Sequence, residues 1–183
     1  MKRLNLIIVL AAVMFGALSC TDDDDKAPDG ISEIDRNFIL NAADGGIFKV
    51  EAGRLAAAKG DTSREMINSE PVSVRSHGQM MVTDHTKANE ELMALAMKKQ
   101  VGIPTTLGVA KQQKLDSLNN SSGTAFNSMY KKMMVAAHQE AISLFETVAS
   151  NGDDNEIKSW AGGRIPALKQ HLDMSVIMRD SNK

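Results

Sequence analysis

The chain has 183 residues and is 43% hydrophobic, enough for one domain with a core of its own. Aromatic residues make up only 4% while methionine occurs 12 times, which argues against a β-sandwich and for helices packed through aliphatic and thioether side chains. A net charge of -2, from 21 basic and 23 acidic residues, gives no basic surface for a phosphate backbone, so nucleic acid is not an expected partner.

Lys2 and Arg3 precede an apolar run from Leu4 to Leu18, the pattern of a secretory signal peptide over residues 1–19. The run is short for a permanent membrane helix, which needs about 20 apolar residues. Ala17-Leu18-Ser19-Cys20 resembles a bacterial lipobox. The match is loose, because a strict lipobox has leucine three places before the cysteine and a small residue two places before it, where this chain has Ala17 and Leu18. Cys20 is the sole cysteine and cannot close an internal disulfide, so lipidation at Cys20 is the expectation, with ordinary cleavage beside an unmodified cysteine as the alternative. Residues 21–26, Thr-Asp-Asp-Asp-Asp-Lys, form a charge run that cannot bury itself and reads as a solvated tether. It resembles the acidic export signal of Bacteroidetes lipoproteins, which implies an outer-membrane lipoprotein displayed at the cell surface, or otherwise facing the periplasm. Residues 20–32 are then lipidated cysteine and acidic linker, and residues 33–183 the folded domain.

Ser32 is placed to cap a first helix running from about Glu33 to the mid-sixties, with Asp35 as its acidic partner. The small residues on the face containing Ala42, Gly45, Gly46 and Ala52 would let a neighbouring helix approach closely. Pro71 suits the first turn of a second helix, about Pro71 to Val101, whose seam is Val74, Met81, Ala88 and Leu95 with Gly78, His85, Leu92 and Lys99 alongside. Gly102 and Pro104 break the chain before a short helix from Val109 to Asn119. A third long helix, about Thr124 to Ala149, presents Met134, His138, Ala141, Phe145 and Val148, and a fourth runs from about Asp154 to Arg179 with Gly162, Gly163 and Pro166 placed to bend or interrupt it. The expectation is all-α: a ferritin-like, up-down-up-down four-helix bundle with a short extra helix between the second and third long helices.

The second and third long helices repeat one motif. Met80-Met81-Val82-Thr83-Asp84-His85 aligns with Met133-Met134-Val135-Ala136-Ala137-His138, and Ala88, Leu92 and Ala96 then fall on Ala141, Phe145 and Ala149. Together with Phe38, Ala42-Ala43, Gly46, Glu51-Ala52-Gly53, Leu55-Ala56, Asn89, Phe126, Tyr130 and Ile165-Pro166-Ala167-Leu168-Lys169-Gln170-His171-Leu172, these residues give a chain that resembles family 4142 of the domains of unknown function, exported bacterial proteins. The resemblance implies a ferritin-like four-helix fold and says little of activity. Where the family often repeats Asp-His in its second half, this chain has Ala137 before His138, and residues 63–70 read as an insertion.

His85, His138 and His171 fall on inward-leaning rows of three helices, and Glu51 of the first helix could add a carboxylate, a set suited to zinc, copper or iron if all four lie at one level. The alternative is that the histidines are buried polar residues hydrogen-bonded across the bundle. A di-iron carboxylate site needs Glu three residues before its histidines, where this chain has Val82 and Val135. Asp84 and Asp173 adjoin histidines and read as surface residues or hydrogen-bond partners of a ligand. His77 lies outside the repeat and reads as a rim residue, and the paired methionines read as core. No nucleophile elbow or phosphate loop is present. The expected function is therefore a non-enzymatic, membrane-anchored structural or interaction module of the envelope, with an envelope protein as partner and no cofactor. The rival is a metal-binding bundle for sensing, storage or oxidant defence.

Overall fold

A computed structural model describes residues 30–67 and 69–181. The signal peptide, Cys20 and the acidic tether lie outside the described residues. Four long helices, α1 (Glu33–Lys59), α2 (Val74–Lys98), α4 (Gly123–Asn151) and α5 (Asn155–Asp180), form the bundle, with the short α3 (Val109–Asn119) and a hairpin of β1 (Glu65–Ile67) and β2 (Glu70–Val72) between them. Among the described residues, no helix is long and apolar enough to cross a membrane.

The helix ends are set by side chains. The Ser32 hydroxyl accepts from Asp35 N as the N-cap of α1. The Asp35 carboxylate goes further, because its Oδ2 also accepts from the backbone N–H groups of Asp153 (3.1 Å) and Asp154 (2.8 Å) and so ties the start of α1 to the turn between α4 and α5. Asp154 in turn caps α5 by accepting from Glu156 N and Ile157 N. The first two helices meet differently from the expectation. α1 stops at Lys59, β1 and β2 pair as the hairpin, and α2 starts at Val74 behind a reciprocal Ser73/Ser76 capping box, which satisfies more orphan N–H groups than Pro71 could. The insertion is thus a hairpin, pinned to α4 by Lys131–Glu65 at 3.0 Å. α2 ends where Gln100 turns left-handed (φ 59°) and Val101 N bonds back to Ala96 O. α5 continues through Gly162, Gly163 and Pro166 without interruption.

Helix directions follow from which residues meet. The closest approach of α1 and α2 puts Gly53 against Gly78 and Gly46 against Asn89, so these two run antiparallel. A Cβ on Gly78 would lie 2.6 Å from Gly53 O and 2.7 Å from Ala56 Cβ, which is why this seam needs glycine on both sides. By contrast His77 meets Tyr130 and His85 meets His138 with the same offset of 53 residues, so α2 and α4 are parallel and face each other across a diagonal. The order is therefore up-down-down-up, not up-down-up-down. The connection from Lys99 to Ser122 makes this reachable, since its coil and the 11-residue α3 can carry the chain back along a bundle about 40 Å long. One long crossover is the ferritin-like connection.

The core is in two parts. Phe38, Leu92, Phe145 and Leu168 gather at one end with Trp160 packed against them, and Phe48, Met81, Phe126, Tyr130, Met134 and Met178 at the other. Met81 and Met134 are fully buried among apolar neighbours, as core methionines. Polar side chains separate the two parts: Lys49, His85, His138 and His171 are all buried.

A candidate metal centre in the bundle core

Each imidazole reaches this layer from a different helix. One ring nitrogen from each of His85, His138 and His171 lies within 4.8 Å of the others. His85 Nε2 and His138 Nε2 are 3.4 Å apart. Two nitrogens bound tetrahedrally to one ion at ~2.1 Å stand ~3.4 Å apart, so this pair already has the spacing of shared ligands. The same distance suits a single weak hydrogen bond between the rings.

The remaining ring nitrogens decide how the lone pairs point. His138 Nδ1 donates to Met134 O at 2.8 Å, one turn back on α4, which leaves Nε2 as the acceptor. His171 Nε2 is held by Asp84 Oδ2 at 3.0 Å, and its Nδ1 is buried with no hydrogen-bond partner among the described residues. Such an orphaned atom costs about 1–3 kcal/mol unless something takes it. A carboxylate bonded to the far side of a histidine is a common way of fixing the tautomer and raising ligand basicity. Asp84 is thus a hydrogen-bond partner of the cluster, in spite of its exposed position.

Electrostatics favour the neutral rings. Burial, with Lys49 and the other rings adding to it, holds His85 well below the ordinary histidine value; burial and Lys49 do the same to His138, and burial lowers His171 against the pull of Asp84. Neutral imidazoles are what a metal ion requires, without proton competition near pH 7.

The fourth helix does not supply Glu51. Its side chain is 36% exposed and pairs with Arg54 one turn along α1. Facing the histidines instead is Lys49, two positions earlier and thus on the other side of the helix. Lys49 is 4% exposed, and burial lowers its ammonium to about 8, so it is still a cation at neutral pH. The offset that pairs Phe38 with Trp160 across the α1/α5 diagonal also pairs Lys49 with His171. The bundle's approximate two-fold relation therefore carries the Asp84–His171 pair onto Ala137 and Lys49. Lys49 therefore stands where a fourth imidazole would complete the layer, and Ala137 where a second aspartate would face it.

His77 is not a rim residue. It is 1% exposed, with Nδ1 at 2.8 Å from the Tyr130 hydroxyl and Nε2 at 3.4 Å from Ser175 Oγ, and burial pushes its pKa down to about 3. The signal in the sequence was its place three residues after the seam position Val74 and four before Met81, on the same helical face.

The sequence profile of the family described as Domain of unknown function (DUF4142) matches residues 21–176. No curated protein and no solved structure matches the chain. With nearly the whole folded domain inside that match, α1, α2, α4, all but the last turn of α5 and the three histidines included, the chain belongs to the DUF4142 family.

Proposed function

We propose that the protein is an envelope-anchored four-helix bundle that binds one transition-metal ion through His85, His138 and His171. The observation that carries this is the convergence of three buried, neutral imidazoles from three helices, one of them oriented by Asp84 and left with an unsatisfied ring nitrogen. Three nitrogen ligands favour zinc or copper over iron, and the valines at positions 82 and 135 remove the glutamates that a di-iron centre uses. A three-histidine centre keeps a fourth position open, and the Lys49 ammonium favours an anion there. The anchor reading is supported by Lys2, Arg3, the apolar run to Leu18, Cys20 and the acidic tether. It places the bundle on the outer membrane as a binding or interaction module with no assigned chemistry of its own.

Elemental analysis of the protein purified from its native envelope tests the metal. One equivalent of zinc or copper is expected, falling to background in His85→Ala and His138→Ala. Metal-free parent protein that takes up no zinc or copper on titration would sink the reading. Radiolabelled palmitate should enter the parent and not Cys20→Ala, and a Cys20→Ala protein that still partitions with membranes would remove the anchor.

A further inference from the structure

Beside the imidazoles the bundle opens into a cleft of about 210 Å³. Its lining joins the polar layer, through Lys49, His85 and His171, to the first apolar cluster, through Leu92, Phe145 and Trp160. Exposed Asn41, Lys87 and Glu140 also line it, so the cleft is reached from solvent.

Two of its cationic groups are short of acceptors. Lys111 on the rim has its charge paired by two carboxylates, with Asp44 at 3.2 Å and Glu140 at 3.0 Å. Lys49 has one hydrogen bond, to Gly45 O at 3.2 Å, and among the described residues no carboxylate closes an ion pair with it. An ammonium has three donors, so two are left. Arg164 gives Nη1 to Glu91 at 3.2 Å, while its Nε–H is buried with no partner among the described residues. Donors left in this state are costly to bury, and here they come from α1 and α5 into one space.

We propose that this cleft binds a small aromatic carboxylate, its carboxylate on the Lys49 ammonium and its ring against Phe145 and Trp160. A carboxylate offers about four acceptor sites and forms the stronger, charge-assisted bonds with an ammonium. The apolar wall selects a carbon body over an inorganic anion. Size fits as well: a dry cavity of about 150 Å³ holds benzene, so 210 Å³ admits a benzene ring bearing a carboxylate and little more. Ala137, in the same lining, stands where the other half of the bundle has Asp84. An aspartate there would neutralise Lys49; alanine leaves the ammonium for a ligand. The site is built from the chain's own donors and does not require the metal.

Trp160 is the single tryptophan and lines the cleft, so its fluorescence reports occupancy. Benzoate, benzamide and acetate are titrated into the full-length protein, metal-free in EDTA and again with one equivalent of zinc. Saturable benzoate binding is expected in the metal-free arm, with benzamide and acetate each at least tenfold weaker. Lys49→Met should weaken benzoate at least tenfold and leave benzamide unchanged, and Ala137→Leu should weaken both by filling the cleft. Equal binding of benzoate and benzamide, or an unchanged benzoate affinity in a folded Lys49→Met, would overturn the proposal. So would benzoate binding confined to the zinc arm, which would move the anion from Lys49 to the ion. A protein that binds benzoate but no zinc keeps this site and loses only the metal centre.

Discussion

Acidification should unfold this protein through its histidines, and the structure sets both the pH window and the size of the effect. His77 is held near 3 by burial, and His85 and His138 are held well below 6.5, so in the metal-free folded state all three stay neutral between pH 7.5 and 5.5. In the unfolded chain each titrates near 6.5. The unfolded state therefore takes up protons that the folded state refuses, and stability falls as pH drops through the unfolded value. Between pH 7.5 and 5.5 each such histidine contributes a loss of about 1.4 kcal/mol, and the three together about 4 kcal/mol. Against a total of roughly 5–15 kcal/mol for a domain, that is a large fraction. Urea unfolding in EDTA, followed by helical circular dichroism at half-unit steps of pH, measures it directly. The slope near pH 5.5 should correspond to nearly three protons taken up per molecule unfolded from these histidines, with a further fraction from His171, which burial also lowers, and His77→Gln should lower that number by about one whatever it does to stability itself. A stability that varies by less than about 1 kcal/mol across the window would refute the burial of neutral imidazoles.

Two further outcomes test the packing. Gly78→Ala should destabilise by about 1–3 kcal/mol, since its Cβ would enter the backbone of α1, whereas Gly163→Ala, with nothing within 4 Å in the interior of α5, should stabilise by about 0.5–1 kcal/mol in the same urea assay. Asp35→Ala should cost about 2–4 kcal/mol, because it strands the N–H groups of Asp153 and Asp154 as well as loosening the α1 cap, and Asp35→Asn, which keeps an acceptor oxygen, should cost less by the same measurement.

The elements, the core rows and the inward lean of the three histidines were legible in the chain because they are local or periodic, whereas their meeting at one level was not. Ser32 at the head of α1, the seven-residue seam of α2 and the repeated Met-Met-Val-x-x-His each mark a face or an end by spacing alone, and the structure places Val74, Met81, His85, His138 and Phe145 where that spacing points. Three residues show where such reading stops. His77 lies outside the duplication, and although its spacing from Val74 and Met81 puts it on the seam face, its contacts with Tyr130 and Ser175 are what establish a core position. Glu51 has the right chemistry for a ligand but the wrong azimuth, a matter of about 200° over two residues that depends on how α1 is rotated in the bundle. Asp84 is exposed on its own helix and gains its role only because α5 brings His171 within 3.0 Å.

What the sequence by itself determined is the set of helices, their apolar faces and the three imidazoles, because propensity, capping and 3.6-residue periodicity are properties of one segment at a time. Tertiary structure alone decided that α2 and α4 are parallel, that the layer between the two halves of the core holds Lys49 as well as three histidines, and that a cleft opens there. Those outcomes depend on the long crossover through α3 and on the Gly53–Gly78 contact that sets how α1 rolls against α2, and no single helix carries either in its own pattern.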